Sequence, residues 1–101
     1  MPEYRIDLSW RRNGGPFERG NYRHDHTVRF NGGQELRNSA ASEYGGDDAA
    51  SNPEELLVAA LSSCQMLTFL AVAANRGYLV DSYEDHAVAT LGKNADGKIA
   101  V

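Results

Sequence analysis

From Leu56 to Ala74 the chain is apolar except at Ser62, Ser63, Gln65 and Thr68, and no other segment constrains the fold as strongly. The run has a well-specified helix start. Asn52 suits the N-cap, Pro53 the first helical position, and Glu55 the capping-box position. Glu54 and Glu55 both complement the positive end of the helix dipole. The pattern predicts a helix to about Arg76, with that cation favourable at the negative end and Gly77 as the stop. Such a helix is apolar around most of its circumference and calls for burial on several sides. A chain of 101 residues has too little sheet to wrap it fully. That argues for a dimer. The polar interruptions separate the run from the ~20 mostly apolar residues of a membrane span, so no membrane partner is expected.

Before the helix the period changes to two. Tyr4, Ile6, Leu8 and Trp10 alternate with Arg5, Asp7 and Ser9, which predicts a strand with one buried face. Asn13-Gly14-Gly15-Pro16 is a turn signal. Alternation returns from Tyr22 to Phe30, with Tyr22, His24, His26, Val28 and Phe30 opposite Arg23, Asp25, Thr27 and Arg29. Asn31-Gly32-Gly33 then predicts a tight hairpin into a short strand at 34–38. Residues 39–51, rich in Ser, Ala, Gly and Asp, read as a loop: either a functional one or a plain connector. Beyond Gly77, residues 78–91 alternate loosely, Asn94-Ala95-Asp96-Gly97 signals a second hairpin, and Lys98-Ile99-Ala100-Val101 begins a strand. The expectation is one α+β domain over 1–101, ordered β-β-β-α-β-β, and a shortened form or short relative of a longer family.

Composition narrows the function classes. Net charge is −4 with no basic block, which gives a nucleic-acid role little support. The one cysteine, Cys64, cannot close an internal disulfide, and Met1-Pro2-Glu3-Tyr4-Arg5 is not the start of an apolar signal segment. A reducing cytoplasm is the expected location. Set on an apolar helix, Cys64 is either inert packing or a nucleophile. His24 and His26 share a strand face near Asp25, but two ligands without a third make a weak metal motif, and no metal or organic cofactor is expected. His86 is isolated and Asp47-Asp48 reads as solvated loop charge. Tyr44, near the loop glycines, is a candidate for the mouth of a substrate pocket.

Cys64, with Asn52-Pro53-Glu54-Glu55-Leu56 before it and Leu67-Thr68-Phe69-Leu70 after it, resembles the OsmC/Ohr family of osmotically inducible and organic hydroperoxide resistance proteins. The Gly32-Gly33 hairpin, Ser39-Ala40-Ala41 and Asp81-Ser82-Tyr83-Glu84-Asp85 resemble an OsmC-like subgroup. The likeness spans the whole chain, but only the N-terminal two thirds or so of a usual member. It implies an intertwined α+β homodimer with a long, buried central helix. It also implies reduction of organic hydroperoxides by a peroxidatic cysteine, with Cys64 in that role, Glu54 as the helper glutamate and Arg23 as the arginine. Arg29 and Arg37 are alternatives for the arginine.

These 101 residues hold no second, resolving cysteine: either the C-terminal region of a usual member holds it, or the reductant is an external thiol or dithiol. Two other readings stay open: a non-catalytic dimer that binds small apolar ligands or serves assembly, and a different thiol reaction such as acyl transfer. The peroxidase reading places physical demands on the site. The attacking species is a thiolate, and apolar burial disfavours it unless a cation such as a guanidinium lies within ~4–6 Å. Glu54 and Cys64 are ten residues apart, a helical rise of ~15 Å, so Glu54 cannot touch its own Cys64. Either Arg23 bridges that span or Glu54 comes from the helix of a second copy, and the second arrangement is expected.

Overall fold

A computed structural model describes residues 2–90, together with the backbone of 92–93 and 99–100. Three strands open the chain: β1 (Ile6–Ser9), β2 (His26–Phe30) and β3 (Glu35–Asn38). They form an antiparallel sheet in the order β1-β2-β3, as the alternation predicts. Ile6 faces Phe30, and Leu8 faces Val28, which in turn faces Leu36, so the apolar residues share one side. Val28, on the central strand, is 6% exposed. Ile6 and Leu8, on an edge strand, are both exposed, although their alternation calls for burial.

The β2–β3 hairpin closes with the Gly33 amide donating to the Phe30 carbonyl at 2.9 Å and the Phe30 amide donating to Gln34 at 2.8 Å. Gly33 has φ 92°, the left-handed conformation a three-residue loop demands of its last residue. The expected strand from Tyr22 begins only at His26. Ahead of it, Glu18 and Asn21 exchange backbone bonds in a small separate turn.

Residues 39–51 are an ordered loop. It contains a 3-10 turn, Ser42–Tyr44, and closes where the Ser39 amide donates to the Ser51 carbonyl at 2.8 Å. The helix α1 then runs Pro53–Asn75, with Arg76 and Gly77 in the turn that ends it. Gly77 has φ 80°, and the Tyr78 amide returns to the Ala73 carbonyl, a left-handed stop of the expected kind.

The chain divides into two compact units, Met1–Pro53 and Glu54–Val101. The expected burial of the helix is not met within this chain: of the residues of α1 only Ala73 is buried. By length and composition α1 is sufficient to cross a bilayer, its most apolar 18-residue window having a mean hydropathy of 2.0, and 6% of that window is buried. The strand expected at 78–91 does not form over 78–90, the described part of that range. Residues 78–90 lack any ladder, and a strand needs a bonded neighbour to exist as one. Further on, β4 (Gly92–Lys93) pairs with β5 (Ile99–Ala100). The expected turn at Asn94-Ala95-Asp96-Gly97 lies outside the described residues.

Candidate functional site

Cys64 sits at the middle of α1 and is exposed. Side chains three, four and seven residues away share its side of the helix, which places Leu57, Leu61, Leu67 and Thr68 around it. Leu57, Leu61 and Leu67 are 43%, 62% and 60% exposed. The thiol therefore stands in an open apolar stripe, where the sequence leads one to expect a covered one. The apolar surround is present; the cover is not supplied by these residues.

Glu54 occupies the first turn of α1, as expected, some ~15 Å of helical rise before Cys64. Its Oε2 is buried and has no hydrogen-bond partner among the described residues. A carboxylate oxygen in that condition is a strong acceptor for a cationic donor.

The three arginines considered for the site differ in what occupies them. Arg23 lies in the segment before β2, in the first unit, whereas Glu54 and Cys64 belong to the second. Its exposed guanidinium makes one long bond, 3.4 Å, to the Arg11 carbonyl, and its own carbonyl accepts the Trp10 indole N–H at 2.9 Å. Arg29 is exposed on β2. Arg37 is already engaged, at 2.6 Å from Asp25 and 3.1 Å from Asp47. These carboxylates raise its pKa further, Asp47 contributing most. Asp47 is held below the usual carboxylate range by the Ala49 amide and then by Arg37. Arg37 thus ties the loop to the sheet.

A cleft of about 360 Å³ lies between α1 and residues 85–90. Val58, Leu61, Ala87 and Val88 give it apolar walls. Ser62 donates to the Asp85 carboxylate across it at 2.5 Å, a tie between residues far apart in sequence that no local pattern marks. Cys64 is not in its lining; one residue of helix turns the thiol ~100° away from Gln65, which is.

The histidines do not assemble a metal site. Both ring nitrogens of His26 are occupied, one by the His24 carbonyl and one by Asn38, while His24 stacks on Tyr22 with ring centroids 4.6 Å apart. Among the described residues no three His, Cys, Asp or Glu come together at ligating distance. Tyr44 is exposed in the 3-10 turn.

Comparison with known proteins bears on this arrangement. The family model described as OsmC-like protein matches residues 45–99, which include the helix start, Glu54 and Cys64. Comparison with curated proteins gives no match. A solved structure of an OsmC-like protein of unknown function from Vibrio cholerae O1 biovar eltor is 42% identical, with a TM-score of 0.93. That likeness covers 100% of this chain and 69% of the other. With more than half of the chain matched by the family model, and its whole length by a structure of the same family, the chain belongs to the OsmC-like family.

Proposed function

We propose that this protein reduces organic hydroperoxides through Cys64, in an apolar pocket completed by a second copy of the chain. The observation that carries this reading is the exposed thiol at the centre of the Leu57-Leu61-Leu67 stripe, ten residues after the Asn52-Pro53-Glu54 helix start of the family. An apolar surround favours a hydroperoxide with an organic tail over hydrogen peroxide, because the tail gains by leaving water.

The chemistry balances with two thiols. The Cys64 thiolate attacks the distal oxygen of ROOH, the O–O bond breaks, and the alkoxide leaves with a proton as ROH. Cys64 becomes a sulfenic acid, oxidised by two electrons. A first donor thiol condenses with it, releasing water and forming a mixed disulfide. A second thiol, or the other arm of a dithiol, displaces Cys64 as thiolate and leaves as disulfide. Arg23 would stabilise the thiolate and the departing oxygen, and Glu54 would orient that guanidinium through its unpartnered Oε2.

The dimer belongs to the same proposal. Ile6 and Leu8 on β1 and Leu57, Leu61 and Leu67 on α1 are exposed, and exposed apolar patches of this kind mark interaction surfaces. A second copy would cover them and bring Glu54 of one helix toward Cys64 of the other. The protein is expected to work in a reducing cytoplasm, where thiol donors are abundant.

The test is consumption of tert-butyl hydroperoxide with dithiothreitol as donor. Wild type should turn over, Cys64→Ser should be inactive, and Arg23→Ala and Glu54→Ala should lose roughly tenfold or more, since each pKa unit of thiolate stabilisation is ~1.4 kcal/mol. Full activity in Cys64→Ser would end the proposal. The 360 Å³ cleft favours a second reading, a binder of small apolar ligands. It would be preferred if apolar ligands bound with Cys64 unreactive.

A further inference from the structure

Trp10, Phe17, Tyr22 and His24 make an unbroken series of ring contacts on the first compact unit, and the candidate site uses none of these rings. Centroids lie 5.8 Å apart from Trp10 to Phe17, 5.4 Å from Phe17 to Tyr22 and 4.6 Å from Tyr22 to His24. Aromatic side chains in such contact belong to cores and interfaces. Here Trp10, Phe17 and Tyr22 stay 39%, 65% and 40% exposed, so they are no core.

The segment that carries them is held in shape. The Trp10 indole N–H donates to the Arg23 carbonyl at 2.9 Å, which joins its two ends. Between them the Gly15 amide donates to the Arg12 carbonyl at 3.2 Å, and the Arg12 guanidinium donates to the Gly15 carbonyl at 2.7 Å. Glu18 and Asn21 exchange backbone bonds at 3.1 and 2.8 Å. A surface fixed in this way loses little freedom when a partner binds it.

Its charge is opposite to that of the rest of the chain. Residues 10–23 hold four arginines and one acid, Glu18, a net +3; the whole chain carries −4, so the remainder carries −7. All four arginines are exposed, and none forms an ion pair among the described residues. With Arg23 assigned to Cys64, Arg11, Arg12 and Arg19 still leave the segment positive. Tryptophan, tyrosine, phenylalanine and arginine, with no lysine among them, are the residues enriched at interface centres.

We infer that residues 10–23 form a docking surface for a short acidic peptide segment of a partner protein. Its carboxylates pair with Arg11, Arg12 and Arg19, and its apolar side chains lie against the Trp10, Phe17 and Tyr22 rings. A guanidinium receives a carboxylate on two parallel bonds, which fixes direction as well as charge. A single-stranded nucleic acid meets two obstacles on the same surface. Base stacking needs a free ring face, but the rings tilt onto one another at 55° and 53°, and His24 covers one face of Tyr22. A polyanion also runs on past the arginines, onto a chain that carries −7 elsewhere. A short acidic segment ends where the arginines do.

Trp10 is the only tryptophan in the chain, so its emission reports on this surface directly. The experiment titrates the full chain with a short blocked peptide of glutamate interspersed with leucine. The expected result is a saturable change in Trp10 emission at low salt that is lost at about 1 M salt, where the Debye length is ~3 Å. Arg19→Glu and Phe17→Ala should each weaken binding roughly fivefold or more. Both side chains are exposed, so each variant should melt with wild type. Arg5→Glu makes the same change in net charge at the other end of β1 and should stay within about twofold of wild type. Trp10 emission that ignores the peptide would overturn the inference, as would equal binding of the peptide with glutamine in place of glutamate. Tighter binding of oligothymidylate would overturn it in favour of nucleic acid. An Arg5→Glu loss as large as that of Arg19→Glu would reduce the effect to net charge and overturn it too.

Discussion

Replacing Gly46 by alanine should unfasten the loop that leads into α1, and the structure sets the scale. An alanine Cβ at this position would lie 1.6 Å from the Ala40 carbonyl oxygen, 2.3 Å from its carbon and 2.8 Å from its Cα. Ordinary contact begins at 3.4 Å, so the two stretches must separate by about 1.8 Å (3.4 − 1.6), and all three obstructing atoms are backbone. The bonds at stake are Gly46 to Ala41 at 3.1 Å, Gly45 to Ser42 at 3.0 Å and Asp47 to Ser39 Oγ at 3.2 Å. At ~0.5–1.5 kcal/mol net for each bond, their loss amounts to about 3 kcal/mol. For a domain of this size that lowers Tm by about 12–24 °C, read at fixed protein concentration because association shifts Tm.

Two controls separate collision from strain. Gly33→Ala meets nothing within 4 Å but must hold φ at 92°, which costs about 1–2 kcal/mol. Gly32→Ala also meets nothing, has no such φ, and should stay within ~0.5 kcal/mol of wild type. The expected order of damage is Gly46, then Gly33, then Gly32. A Gly46→Ala protein melting within about 4 °C of wild type would refute the close approach on which the calculation rests.

Acid should loosen the same loop from its other end. The Asp47 carboxyl is held below its ordinary range in the folded chain, so its stabilising effect is complete above that range and is lost as pH falls through the depressed folded value. Hydrogen exchange at the Ala49 amide, which donates to Asp47 Oδ1 at 2.9 Å, should report the loss, and Asp47→Asn should abolish the pH dependence. A charge in the helix stripe tests the second copy: Leu67→Glu should shift sedimentation from dimer to monomer and suppress peroxide turnover. An unchanged dimer would place the interface elsewhere.

Most of the fold is legible in the sequence because local rules agree there. The capped start at Asn52-Pro53-Glu54 and the stop at Gly77 place α1 nearly to the residue. The Asn31-Gly32-Gly33 turn also fixes more than its strands. A three-residue loop closing on Phe30 and Gln34 puts Thr27 opposite Arg37 and His26 opposite Asn38, so these pairs are readable from register alone. Burial was not legible, because alternation records that a face wants cover and not who provides it. Hence Ile6, Leu8 and the α1 stripe are exposed. The strand expected at 78–91 does not form over 78–90 for a related reason, since its pattern carries no information about a bonded neighbour.

The site is legible only in its chemistry. The candidates Cys64 and Glu54 come from the motif, whereas in the neighbouring cleft the Ser62–Asp85 tie joins residues 23 apart with no local signature. The engagement of Arg37 by two carboxylates is likewise invisible until the loop folds back on β3.

The most direct test of the central claim is the pH dependence of Cys64 alkylation, followed by mass spectrometry after one equivalent of tert-butyl hydroperoxide. The account predicts a thiolate titrating well below the ~8.5 of a free cysteine and a rapid gain of one oxygen on Cys64, reversed by dithiothreitol. A thiol that titrates like free cysteine and stays unoxidised in the folded protein would contradict it.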